Sequence, residues 1–212
     1  ALLGVPDRPA ETAVRALAVD GGVIITASHN PIADNGFKFL TGCGPSINGS
    51  APPGALLSAS GMSRVIDAVR ELARGDGQLW QEHMEQASVQ AVEASLKVVN
   101  NETARVKVER AYLDMMGADW GLAPHCLKPL TLGPVLVDPN GGAGCGIGAR
   151  VLEHFGVRAI EVNAEVGYPE HGIDTDGIDP ASGRHMLLRV SRAAARQGCH
   201  FGVAFDYDAD RG

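Results

Sequence analysis

The sequence predicts an α/β protein of two domains with mixed or mostly parallel sheets. Three observations carry this expectation. From Pro134 to Phe205, short apolar runs alternate with amphipathic stretches across short, glycine-containing joints, which reads as strand–helix–strand–helix–strand. Such units close through right-handed crossovers and lay their strands parallel. Nearer the N-terminus, a single β-branched run, Val23 to Thr26, stands between an amphipathic stretch and two turn signals. Between these regions, Thr41 to Met62 is rich in Gly, Ser and Pro without periodicity and reads as a surface loop or linker.

The elements follow in order. Pro9 to Val19 reads as a helix, because Ala13, Val14, Leu17 and Ala18 recur at three- and four-residue spacing. Gly21-Gly22 stops it, and Val23 to Thr26 forms a short buried strand. Asn30-Pro31 and Asn35-Gly36 are turn signals, so Ser28 lies at the carboxyl end of that strand, and Phe37 to Leu40 forms another. Ser63 is the expected cap of a helix through Arg74, with Val65, Ile66, Val69 and Leu72 as its buried stripe. Further helix is expected between Gln81 and Gly117, interrupted around Asn100-Asn101. The second half gives a strand at Pro134–Asp138, a helix at Gly146–Phe155 and a strand at Val157–Val162. A helix at Arg184–Gln197 and a last strand at Phe201–Phe205 complete it. The two domains are expected to meet near residue 100, as 1–100 and 101–212.

Composition excludes several classes of function. With 212 residues the chain is long enough to bury a sizeable core. A formal charge of −7 argues against a general nucleic-acid or acidic-membrane binder, both of which need a basic face. No window approaches the roughly 20 apolar residues of a membrane span, and Ala1 to Arg8 lacks the pattern of a signal peptide. The absence of an initiator Met makes the N-terminus read as the middle of something. Cys43, Cys126, Cys145 and Cys199 are scattered without a Cys-x-x-Cys pair, which favours reduced thiols and a cytoplasmic location.

Three strings could carry chemistry. In Gly22-Val-Ile-Ile-Thr-Ala-Ser-His-Asn-Pro31, the strand delivers Ser28 to a turn beside His29, with Lys38 following in Asn35-Gly-Phe-Lys38. A serine hydroxyl is a weak nucleophile until a base or cation activates it, and this string supplies one of each. The bland alternative is a serine that merely caps a turn. In Phe205-Asp-Tyr-Asp-Ala-Asp-Arg211, carboxylates at alternate positions just past a buried strand offer hard oxygens to a divalent cation such as magnesium. An EF-hand fails here because Arg211 stands where glycine is required; a solvated acidic turn is the other reading. In the third string, Gly144-x-Gly146-x-x-Ala149 imitates a dinucleotide fingerprint, with Glu161 at the end of the next strand placed to contact a ribose. Asp-Pro-Asn-Gly-Gly intervenes after the strand, so a tight strand-to-helix connection competes with cofactor binding. Asp174 to Asp179 is calcium-like with its glycine misplaced, and the histidines other than His29 are scattered singly.

The serine and aspartate strings resemble those of the α-D-phosphohexomutases, the phosphoglucomutase/phosphomannomutase group, with phosphoglucosamine mutases close by. The similarity is strongest at Gly22–Lys38, Val135–Gly144, Leu152–Asn163 and Phe201–Arg211. It implies three-layer α/β domains: part of domain 1 over 1–100 and domain 2 over 101–212, truncated from a four-domain enzyme whose domains 3 and 4 are missing. It implies interconversion of hexose 1-phosphate and hexose 6-phosphate through a phosphoserine and a bisphosphorylated sugar. Ser28 would be that phosphoserine and, with Asp206, Asp208 and Asp210, would hold one magnesium ion. Lys38 would assist proton transfer, and His29 and Arg211 would share the pocket. Glucose 1,6-bisphosphate is the implied activator and a phosphosugar the implied partner, with no nucleic acid or membrane. Tyr207 stands where glycine is frequent in the family, and Gly167 to Gly172 follows the family's loop only loosely. Two other readings stay open: a non-catalytic piece that binds magnesium or a phosphosugar, and a nucleotide-binding module built on Gly142–Ala149.

Overall fold

The computed structural model describes residues 7–27, 30, 33–43, 51–74, 77–86, 89–90, 93–94, 97, 101–128, 133–171 and 185–210. Helix α1 (Asp7–Leu17) leads into β1 (Gly21–Ile25), which pairs antiparallel with β2 (Phe37–Thr41) so that Val23 faces Phe39 and Ile25 faces Phe37. Part of the glycine- and proline-rich stretch then folds back on β2. Thr41 N–H donates to Ala55 O at 2.8 Å, and the Thr41 hydroxyl reaches Pro52 O at 2.6 Å.

Helix α2 (Ala59–Leu72) starts earlier than the sequence predicts. Ser58, not Ser63, is its cap: the Ser58 hydroxyl accepts from Gly61 N–H at 3.1 Å, which satisfies one of the helix's orphan donors. Ser63 therefore lies inside the helix. The expected buried stripe is also not buried, since Ile66 is 43% and Val69 53% exposed. Helix α3 (Gln78–Gln86) follows and buries none of its residues.

Helix α4 (Glu102–Trp120) begins at Asn101, whose side chain accepts from Thr103 N–H at 2.9 Å, and ends at Gly121 with φ +65°. It touches both halves of the chain. The Thr12 hydroxyl of α1 donates to Met115 Sδ at 3.3 Å, and Arg150 pairs with Glu109 at 2.8 Å.

The second sheet is parallel, in the order β4 (Ala159–Glu161), β3 (Val135–Asp138), β5 (Phe201–Ala204), as the alternating pattern predicts. Helix α5 (Ile147–His154) links β3 to β4, and α6 (Met186–Arg196) links β4 to β5. Every residue of β3 is buried, because side chains alternate between faces and both faces are covered. Leu136 packs with Val190 and Ala194 of α6 and with Ala204. Val135 and Val137 pack on the other face with Val157, Leu152 and Phe205. Leu136 is fully buried, so Leu136→Ala is expected to cost about 2–5 kcal/mol in urea unfolding, and a loss well below that range would contradict close packing there.

Candidate active site

The site forms where two loops meet, one after β1 and one after β5. Thr26 N–H donates to Gly36 O at 2.9 Å, which closes the neck of the loop between β1 and β2. Gly36 is required by close approach, since a Cβ there would stand 2.9 Å from Thr26 O. An open cavity of about 590 Å³ lies over this loop, lined by Thr26, Ala27, Asn35 and Lys38 among others. Ser28 and His29, expected in this loop, lie outside the described residues, as do Arg211 and the calcium-like 174–179 stretch.

The loop after β5 is held from below. Phe205 N–H donates to Asp138 O at 2.9 Å, and Ala143 N–H donates to Tyr207 O at 2.7 Å. A Cβ on Gly142 would lie 2.6 Å from Tyr207 O, so this glycine-rich turn supports the aspartate loop by close backbone contact. The dinucleotide alternative meets an obstacle at the same turn. Both Glu161 carboxylate oxygens accept from Gly146 N–H, at 2.8 and 3.0 Å, so a side chain already occupies the α5 N-terminus that a pyrophosphate would need. Glu161 caps a helix here rather than standing free for a ribose. Tyr207 needs no glycine, because the left-handed residue of this loop is Ala209, at φ +58°.

Carboxylate oxygens of Asp206, Asp208 and Asp210 lie within 4.8 Å of one another. Asp206 and Asp208 are only 2% and 8% exposed. Among the described residues, two side chains of the first half of the chain reach this cluster. The Thr26 hydroxyl donates to Asp208 Oδ2 at 2.7 Å, across 182 positions of sequence. Lys38 Nζ lies 3.3 Å from Asp210 Oδ2 and 3.7 Å from Asp208 Oδ2. Burial alone would raise the Asp208 carboxyl, but the Thr26 hydroxyl and the Lys38 ammonium outweigh it and hold it below its ordinary value. Asp208 Oδ1 is buried without any hydrogen-bond partner. A hard-oxygen cluster with one orphaned buried acceptor fits a divalent cation.

The structure brings Lys38, Asp206, Asp208 and Asp210 together. It adds Thr26, which the sequence reading passed over; its place at the strand end, before the turn, was the available signal. It also adds a buried network behind the loop. Asp138 accepts from Asn140 N–H, from Asn163 Nδ2 at 2.9 Å, and faces His171 Nε2 at 3.1 Å.

The family model "Phosphoglucomutase/phosphomannomutase, alpha/beta/alpha domain I" matches residues 8–52. The phosphoglucosamine mutase of Renibacterium salmoninarum is 30% identical over 212 residues, covering 97% of this chain and 37% of that protein. The family model and the relatives both point to the α-D-phosphohexomutase family. The phosphoglucosamine mutase of Mycobacterium ulcerans is also 30% identical, over 91% of this chain and 34% of its own length. In fold, the chain is similar to a solved Thermus thermophilus structure described as a phosphomannomutase. The TM-score is 0.55 at 22% identity, over 98% of this chain and 39% of that one. The chain therefore spans little more than a third of the relatives it matches. No helix among the described residues is long and apolar enough to cross a membrane.

Two measurements check the site. Thr26→Val strands a buried carboxylate oxygen and is expected to cost about 1–3 kcal/mol in chemical denaturation, whereas a neutral result would mean the hydroxyl does not hold Asp208. Burial raises the Glu161 carboxyl even against its bond from Gly146. The folded state then binds a proton that the unfolded state has lost, so stability falls as pH rises from about 4.3 through the raised value. Glu161→Gln keeps an acceptor for Gly146 and is expected to remove that segment of the stability–pH curve.

Proposed function

We propose that the chain carries the phosphoserine and metal loops of a phosphohexomutase, an intramolecular phosphotransferase that interconverts hexose 1-phosphate and hexose 6-phosphate. The observation that supports it is the meeting of Thr26 and Lys38 with Asp208 and Asp210. It puts the strand that leads to Ser28 against the carboxylate loop. In this reading residues 1–100 belong to domain 1 and 101–212 to domain 2, with α4 packed against both, in a cytoplasmic enzyme.

Phosphorylated Ser28 gives its group to a hydroxyl of a glucose or mannose phosphate, forming a bisphosphorylated sugar. That sugar turns around within the site, and its other phosphate returns to the Ser28 hydroxyl. Phosphoryl transfer is mainly positioning and neutralisation of charge on the phosphoryl oxygens. Lys38 supplies positive charge and moves the proton of the reacting hydroxyl, while His29 and Arg211 complete the pocket. Asp206, Asp208, Asp210 and Ser28 would hold magnesium, which when bound supplies further charge against those oxygens. Glucose 1,6-bisphosphate, as activator, phosphorylates Ser28.

The names of the relatives favour a second reading of the substrate, a glucosamine phosphate. A chain that binds magnesium or a phosphosugar without turnover is the competing reading, because binding energy at the far phosphate is needed to position the sugar.

Ser28→Ala in the gene product that contains this chain is expected to abolish mutase activity with folding intact; retained activity overturns the assignment. Asp208→Asn is expected to remove saturable manganese binding measured by electron paramagnetic resonance. Undiminished binding would move the metal site elsewhere.

A further inference from the structure

Helix α6 carries Arg189, Arg192 and Arg196 at three- and four-residue spacing, which stacks them along one face. All three line a cavity of about 370 Å³, together with Asp138, Asn163 and His171. That volume is at the small end of small-molecule sites. The cavity lies on the α6 side of the sheet, at the carboxyl ends of β3 and β4, where open α/β sheets receive ligands. It shares no lining residue with the cavity over the β1–β2 loop.

No carboxylate among the described residues compensates the charge there. Arg70, Arg74, Arg105 and Arg150 each pair with a carboxylate. Among the described residues, Arg189 meets the carbonyl oxygen of Glu170 at 3.4 Å, and neither Arg192 nor Arg196 pairs with a carboxylate. The one carboxylate among the described residues of the cavity wall, Asp138, is turned to Asn140, Asn163 and His171. Three like charges gathered at one concavity of a chain with net charge −7 repel one another unless an anion joins them. Guanidinium groups match phosphate oxygens in paired hydrogen bonds, and a row spanning about 10 Å of helix suits more than one phosphate group.

We infer that this cavity binds a small phosphorylated anion carrying two phosphate groups, at a site separate from the carboxylate loop. The arginines of α6 hold the phosphates, and Asn163 and His171 form the opposite wall.

Isothermal titration of the 212-residue chain with inorganic pyrophosphate, in buffer stripped of divalent cations, tests this. Saturable binding is expected, weakened at least about tenfold by the double substitution Arg192→Gln and Arg196→Gln and retained within about twofold in Lys38→Gln. Both arginines are exposed, so the double variant keeps the fold, which circular dichroism checks. Arg189→Gln serves as an independent variant with the same expected direction. Unchanged affinity in the arginine variants, loss of binding in Lys38→Gln, or no saturation at millimolar pyrophosphate each overturns the assignment.

Discussion

Asp138 ends the buried central strand with a side chain that is 3% exposed, and burying polar oxygens so deeply costs free energy unless donors take them up. The donors come from three different segments: the Asn140 backbone, the Asn163 side chain after β4, and the His171 ring. Asn140 repeats the device, accepting from Glu170 and His171 N–H and donating to His171 O. Asn140 and Asn163 both sit at positive φ, a conformation asparagine tolerates better than most residues. The loops after β3 and β4 are thereby tied to one point. The backbone carbonyl of the same Asp138 receives Phe205 N–H and so fixes where the aspartate loop leaves β5.

Two patches of positive charge in this acidic chain have opposite surroundings. Lys38 sits among carboxylates, and its ammonium offsets the repulsion that close aspartates would otherwise suffer. The α6 arginines stand beside a carboxylate already claimed by neutral donors and a histidine. The first arrangement sets three carboxylates against one ammonium and leaves Asp208 Oδ1 without a hydrogen-bond partner; the second presents its charge outward. Their chemistry differs accordingly, one side suited to cations and the other to anions.

The parallel sheet was legible because its signals are local. A continuous apolar run such as Val135–Val137 and the three- and four-residue period of α6 need no knowledge of partners. The aspartate triad was legible for the same reason, since its spacing lies within one loop. The cap of α2 was misplaced because Ser58, Ser60 and Ser63 all suit an N-terminus, and only the bond to Gly61 chooses among them. Its apolar stripe was misjudged because periodicity shows that a face is apolar, not that anything covers it. Thr26 and His171 were illegible as partners, since their bonds span 182 and 33 positions. The cap that Glu161 forms on α5 was not legible, because its acceptor role depends on how the β3–α5 turn presents Gly146.

The bond between Thr26 and Asp208 also bears on how the protein reaches its folded form. Each half can gather local contacts early: the β1–β2 hairpin on one side, the strand–helix units on the other. A contact between residues 182 apart is made only after a large loop has closed, and that closure is entropically expensive. The carboxylate cluster therefore has its complete surroundings only once both halves are in place. A partly folded chain, even one with its parallel sheet in place, would present those aspartates to water without their hydroxyl and ammonium partners. Completion of the site is in this sense a mark of a finished chain.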